Sequence, residues 1–325
     1  MRRYLAGRLL QAAGVVWLVA TLVFVLIHVA PGDPFAASLD DARVSAAARA
    51  HWRAEFGLDR PLPEQYVRWL ANAARGDLGW SFSMNRPVRE VLADALPNTL
   101  LLMGVALTLA FALGIAVGVV SAARRNSWLD RASRASLLFF YSMPDFWLAL
   151  MAMLVFAVWL RVLPVSGMTD AFMFQYMTPV ERLVDRVRHL VLPAGVLAVL
   201  GAASIARYQR AALLDVIGED YVRTARAKGL GERRVVLRHA LRNALLPVIT
   251  VFGLAFPALF AGAFFVEKIF SWPGMGYAVV RAISTRDYHL VTAGAVVVAA
   301  VVAAGNLLAD LLYALADPRL RRGSA

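Results

Sequence analysis

Two carboxylates stand inside stretches of sequence that are otherwise apolar, Asp145 in SMPDFW and Asp310 in NLLADLLYALAD. A carboxylate near the centre of a hydrocarbon layer costs about 2.5–3.5 kcal/mol even on insertion scales, so each needs a partner, a wet path or a proton. Asn306, Asp310, Tyr313 and Asp317 recur at i, i+4, i+7 and i+11, which is one face of a helix. That face nears the end of its apolar run and places one acid inside it, which does not make a relay. A structural anchor bonded to a basic loop or neighbouring helix is therefore favoured over a proton or substrate site. Asp145 follows Pro144, and a proline within a helix frees a backbone carbonyl and can kink the chain. Asp145 either lines a water-filled path or meets a partner subunit, and both readings stay open.

The third concentration of chemistry is charged rather than apolar. Residues 207–245 carry nine basic and four acidic side chains, far too many residues for a simple turn between membrane helices. Asp220 precedes YVRTARAK and Gly229 follows it, an acidic N-cap and a C′ glycine bracketing a short helix. Read alone, that helix is a solvated surface element.

Other chemistries lack their residues. AKGLGERR comes nearest to a phosphate loop but lacks the Lys-Ser/Thr pair, so no ATP hydrolysis is expected on this chain. There is no HExxH or GxSxG, and His28, His51, His189, His239 and His289 are too scattered to suggest a ligand set. Without cysteine there is neither a disulfide framework nor a thiolate metal site. No catalytic residue, metal or cofactor is expected.

What must position these residues is a membrane bundle. Of 325 residues, 60% are hydrophobic and 17% charged, more apolar than a soluble domain of this length. Crossing a bilayer takes about 20 apolar residues, and six runs qualify: 9–30, 98–123, 135–160, 190–206, 244–266 and 290–316, the fourth being the shortest. The first follows MRRYLAGR and exceeds the roughly 7–15 residues of a cleavable signal segment, so it reads as a retained span. The net charge of +12 lies between the runs, as expected beside an anionic lipid surface, and no nucleic-acid-binding pattern accompanies it. With the N-terminus inside, 19 of the 34 Lys and Arg fall in 67 inside residues and 15 in 119 outside residues. That asymmetry puts both termini in the cytoplasm.

Three regions follow: 1–30 as the cytoplasmic end and first span, 31–97 as an outer loop, and 98–325 as a five-helix core containing the 207–245 loop. Within the outer loop, Val44, Ala48, Trp52 and Phe56 mark one amphipathic helix before Gly57. Pro63 opens another, with Tyr66, Leu70 and Ala73 on one face, that stops at Gly76. These helices either cap the bundle or dock an external partner. Gly114 and Gly118 form a GxxxG suited to close helix packing.

Strings spread along nearly the whole chain carry a family resemblance: HVAPGDP, FGLDRPLPEQYVRWL, GDLGWS, ALPNTLLL, DYVRTARAKGL, RHALRNALLPV, VEKIFSWPGMG and NLLADLLYALADPR. Together they resemble the permeases of binding-protein-dependent ABC importers, specifically the B-type subunit of the dipeptide/oligopeptide/nickel group. The resemblance implies an all-α polytopic bundle of type I importer architecture that moves peptides or a related small solute by alternating access. It also implies partners: a second homologous permease, two cytoplasmic ATP-binding subunits, and a periplasmic or lipid-anchored substrate-binding protein.

In that family the charged loop holds the EAA motif, whose short helix docks on an ATP-binding subunit. Here Arg223, Thr224 and Ala225 stand where the general motif has Glu-Ala-Ala, and Gly229 matches its glycine. Carried across, the docking set is Asp220, Tyr221, Arg223, Thr224, Ala225, Arg226, Lys228 and Gly229, and the missing glutamate removes any contact specific to it. The rival classes are a secondary transporter or channel not coupled to ATP, which calls for paired intramembrane charges or broken helices in corresponding halves, and a membrane-anchored enzyme, which calls for a catalytic constellation.

Overall fold

The computed structural model describes residues 2–29 and 60–316. Helix α1 (Arg2–Val29) is apolar on nearly all sides and largely uncovered, with Leu10, Leu26 and Val29 well exposed. A long helix of that kind suits a hydrocarbon surround. The amphipathic pattern around Val44 to Phe56 lies outside the described residues. The next one forms α2 (Leu62–Ala74), which starts after Pro61 and stops at Gly76, whose φ is +82°. A two-residue hairpin, β1 (Trp80–Ser81) paired antiparallel with β2 (Arg86–Pro87), is a small exception to an all-helical chain.

Helix α3 (Val88–Ala123) starts ten residues before the expected span and carries Pro97 within it. The expected single span 135–160 is instead two helices, α4 (Trp128–Tyr141) and α5 (Asp145–Ala152), the latter continuing as a π-wound turn over Met153–Trp159. They meet at 105°. Pro144 is the cause: its extended ψ of 136° ends one helix and starts the next, and a residue before proline avoids helical backbone.

The span expected to be shortest sits inside the longest helix, α6 (Pro179–Ile217), opened by a Thr178–Glu181 capping box. Hydropathy registers only its apolar middle, because charged residues continue the helix past both ends. After it come α7 (Asp220–Ala227), α8 (Glu232–Arg234), a π-wound turn (Val235–Ala240) and α9 (Leu241–Ala244). The charged "loop" is therefore mostly helix. Then follow α10 (Leu246–Ile269), α11 (Met275–Ser284) and α12 (Tyr288–Ala316).

Among the described residues four helical stretches are individually long and apolar enough to cross a membrane: Ala6–Val29, Val88–Ala123, Pro179–Ile217 and Tyr288–Leu311. The bent pair α4–α5 makes a fifth candidate. Helix α10, 24 residues long and uncharged from Leu246 to Val266, reaches about 36 Å, also enough for the hydrocarbon layer.

The central core gathers Leu102 and Met103 of α3, Ala149 of α5, Leu197 of α6 and Phe260 of α10, closed at one end by Trp272. Helices α3 and α6 pack tightly at the GxxxG. A Cβ on Gly114 would sit 2.7 Å from the Ile205 side chain, and one on Gly118 would sit 2.8 Å from the Ala206 carbonyl. Those glycines let the two backbones meet.

Candidate functional site

Helix α7 is built for exposure on one face and attachment on the other. Val222 and Ala225 are buried against Ala122 of α3, Leu213 of α6 and Val235, Val236 and Ala240 of the π-wound turn. Ala225, expected in the docking set, is thus part of the attachment. Tyr221, Arg223, Thr224, Arg226 and Lys228 remain outside.

Both ends of α7 are defined. The N-cap position is Glu219, without a side-chain cap bond, so Asp220 is the first helical residue rather than the expected cap. Its carboxylate lies near the negative-tolerant helix start and 3.4 Å from Arg223. At the other end Gly229 adopts φ +75°. Its N–H donates to the Arg226 carbonyl (2.9 Å) and the Leu230 N–H to the Ala225 carbonyl (3.4 Å). That pair of bonds is a Schellman stop, and Leu230 packs on the same cluster as Val222 and Ala225.

Two side-chain ties join α7 to the chain that follows. The Asn243 amide donates to the Tyr221 hydroxyl (2.7 Å). Arg226 donates to both oxygens of Glu232, at 3.0 and 2.7 Å. That bidentate pair holds the Glu232 carboxyl below its ordinary range. Arg223 and Lys228 are left exposed, with the exposed Asp220 carboxylate beside Arg223.

Beneath α7, at the end of α3, lies a buried knot that the sequence reading missed. Asp130 of α4 is fully buried and accepts from Ser121 (2.5 Å), from the Asn126 N–H (3.0 Å) and from Arg210 of α6 (2.8 and 2.9 Å). It joins three helices. The available signal was Ser127 three residues before Asp130, a helix start whose Ser127 hydroxyl accepts from the Asp130 N–H.

The two acids singled out from the sequence are not brought together. Asp310 pairs with Arg8 of α1 at 3.1 Å, while Asn306 is exposed; the Tyr313 side chain and Asp317 lie outside what is described. Asp145 opens α5 at the 105° break, with Oδ2 2.8 Å from where a Cβ on Gly262 of α10 would stand. Its carboxylate makes no hydrogen bond or ion pair among the described residues.

Two further buried acids order the opposite end of α3. Glu267 of α10 accepts from Thr99 (2.6 Å) and from the N–H groups of Gly276 (2.7 Å) and Tyr277 (3.2 Å), while Thr99 accepts from the Met275 N–H (2.7 Å). The first turn of α11 is thereby capped from outside its own helix. A Cβ on Gly274 would collide with the Glu267 carboxylate. Asp287 accepts from the Ser81 and Ser83 hydroxyls, at 2.6 and 2.8 Å, and from the Ser83 N–H at 3.0 Å, fixing the hairpin to the start of α12. Both acids sit at the edges of apolar runs, in VEKIFSWPGMG and TRDYH, where a scan for charges inside spans does not look.

Among the described residues no group of His, Asp or Glu could hold a metal ion.

Residues 114–322 match the family described as binding-protein-dependent transport system inner membrane component, and residues 1–103 match its N-terminal companion. The oligopeptide transport system permease protein AppB of Bacillus subtilis is 41% identical, over 98% of this chain and 99% of that one. The dipeptide transport system permease protein DppB of Escherichia coli K12 is 40% identical over 93% and 94%. The glutathione transport system permease protein GsiC of Pectobacterium atrosepticum is 39% identical over 99% of each. Among solved structures, an inward-facing MetNI methionine ABC transporter superposes with a TM-score of 0.55 at 19% identity, covering 70% of this chain and 96% of that one.

Proposed function

We propose that α7 is the coupling element of a permease, from the premise that this chain belongs to the binding-protein-dependent transport system inner membrane components and is the translocation subunit of an ABC importer. It is a multi-pass membrane protein, and ATP hydrolysis resides on separate subunits. An ATP-binding partner and a substrate-binding protein go with such a subunit. In the finer reading there are two cytoplasmic ATP-binding subunits, a second permease and an external binding protein. The solute is a peptide or a compound of peptide type, as the relatives' names suggest.

The observation that carries the reading is the division of α7 into two faces. Val222 and Ala225 bury it on the ends of α3 and α6, whereas Arg223 and Lys228 point away with no apolar cover. An acidic cleft on the ATP-binding subunit would receive those charges. Closure of the ATP-binding pair then displaces α7. Because α7 is stopped by Gly229, tied to Glu232 and Asn243, and seated on α3 and α6, the displacement reaches the bundle as a rigid shift. The basic-residue asymmetry supports a cytoplasmic location for α7 and both termini, and alternating access follows from moving α3 and α6 against α10.

Gly229→Val in purified complexes tests this. Left-handed backbone costs a non-glycine residue roughly 1–2 kcal/mol and valine more than most. The variant should stay in the membrane but lose substrate-stimulated ATP hydrolysis and uptake together, and Arg223→Cys should crosslink to the ATP-binding subunit. Full coupling with unchanged ATPase association would make α7 a mere surface element.

A further inference from the structure

We propose that the cavity bounded by the end of α1, by α2 and by the start of α12 binds the phosphate headgroup of an anionic phospholipid. The cavity holds about 690 Å³, within the range of a small-molecule site, and Arg60, Arg68, Arg75 and Arg89 all line it, with Asp77 the one acid among the described lining residues. Asp77 is itself engaged, accepting from the Gly79 N–H at 3.1 Å. Arg60 and Arg68 share Glu64, at 2.6 and 3.1 Å. The guanidinium groups of Arg75 and Arg89 make no ion pair or hydrogen bond among the described residues. Four arginines thus line one cavity with two carboxylates, Asp77 and Glu64, to balance them among the described residues, which favours an anion, and the guanidinium fork matches phosphate oxygens two at a time.

The walls point to lipid rather than to a free anion or an acidic protein segment. Phe24 and Ile27 of α1, Trp69 of α2 and Tyr288 of α12 give the cavity an apolar and aromatic side. Phe24 stacks within 5.7 Å of Trp69. Aromatic side chains of this kind gather where hydrocarbon meets the headgroup layer. The outer face of α1 next to them is bare: Leu22, Val25, Leu26 and Val29 are each about half exposed or more. A phosphate on the arginines therefore places acyl chains along uncovered α1, where an acidic peptide would leave that surface unmatched. The bound lipid would brace α1 and α2, already joined by the Tyr66–Thr21 hydroxyl pair at 2.7 Å, against the start of α12.

Native mass spectrometry of the purified whole complex, exchanged into nanodiscs with and without phosphatidylglycerol, tests the assignment. Wild type should retain phosphatidylglycerol over phosphatidylcholine, and Arg75→Gln with Arg89→Gln should lower that retention roughly tenfold, two surface charges each being worth several-fold. Arg75→Lys with Arg89→Lys keeps the charge but loses the fork and should fall between them. Equal retention in wild type and the double Gln variant overturns the proposal. So does unchanged lipid retention with weakened affinity for the substrate-binding protein or for inorganic phosphate in phosphatidylcholine nanodiscs, which would assign the arginines to a protein partner or a free anion. Retention that falls only because the variant misfolds is separated by its thermal melt, since neither guanidinium has a partner among the described residues to lose.

Discussion

Helix α3 carries two hydroxyls that each hold a buried carboxylate, Ser121 in its last turn and Thr99 eleven residues in from Val88 at its start, and the two sites solve the burial differently. At the end nearer α7, Ser121 shares Asp130 with Arg210, so the charge is neutralised by an opposite charge from another helix. At the other, 22 residues and about 33 Å away, Thr99 shares Glu267 with backbone N–H groups of α11, and no cation pairs with it among the described residues. A paired charge locks α4 onto α6 and is costly to break from one side. Aimed N–H dipoles fix the direction of one helix and weaken when the aim is lost. The end on which α7 is seated, where docking of an ATP-binding subunit is proposed, is thus cross-braced between spans, whereas the opposite end holds α11 by its orientation.

Removing one charge breaks the comparison most strongly. Asp130→Ala leaves the largely buried Arg210 without its carboxylate and should cost about 3–5 kcal/mol, read as a large loss of folded protein in membranes and a lowered melting temperature. Adding Arg210→Ala should recover part of that loss. If Asp130→Ala accumulates and melts as wild type, the brace is unimportant. At the opposite end Glu267→Gln keeps size but turns one acceptor into a donor facing donors. A loss of roughly 1–3 kcal/mol is expected, with faster hydrogen exchange confined to Met275–Ser284 and the α7 region unchanged. Exchange that rises equally in both regions would mean the two ends are not independent.

The smallest effect belongs to the exposed pair that ties α7 to α8. Arg226 holds the Glu232 carboxyl below its ordinary range, so the stabilisation is complete above that range and is lost as pH falls through the depressed value. Because both side chains are substantially exposed, only about 0.2–1 kcal/mol is at stake. Acid should therefore speed amide exchange at Gly229–Glu232 beyond its intrinsic change, and Glu232→Gln should remove that extra pH dependence. An unaltered pH profile in Glu232→Gln would show that the tie contributes nothing.

Periodicity and charge density alone located the membrane runs, the amphipathic helix before Gly76 and the left-handed stop at Gly229, because each follows from local backbone and solvation rules. The same rules went astray where a helix continues beyond its apolar part, as in α6, and where Pro144 splits one apolar run into two helices. Sequence identified Asp310 as needing a partner and could not name Arg8, which lies about 300 residues away. It passed over Asp130, Glu267 and Asp287, since an acid at the edge of a span looks solvated until neighbouring elements close on it. Whether Ala225 faces outward, whether Asp145 meets Gly262, and whether four arginines share one cavity were decided only by packing. Those outcomes depend on the approach of segments distant in the chain, and the residues themselves carry no local trace of it.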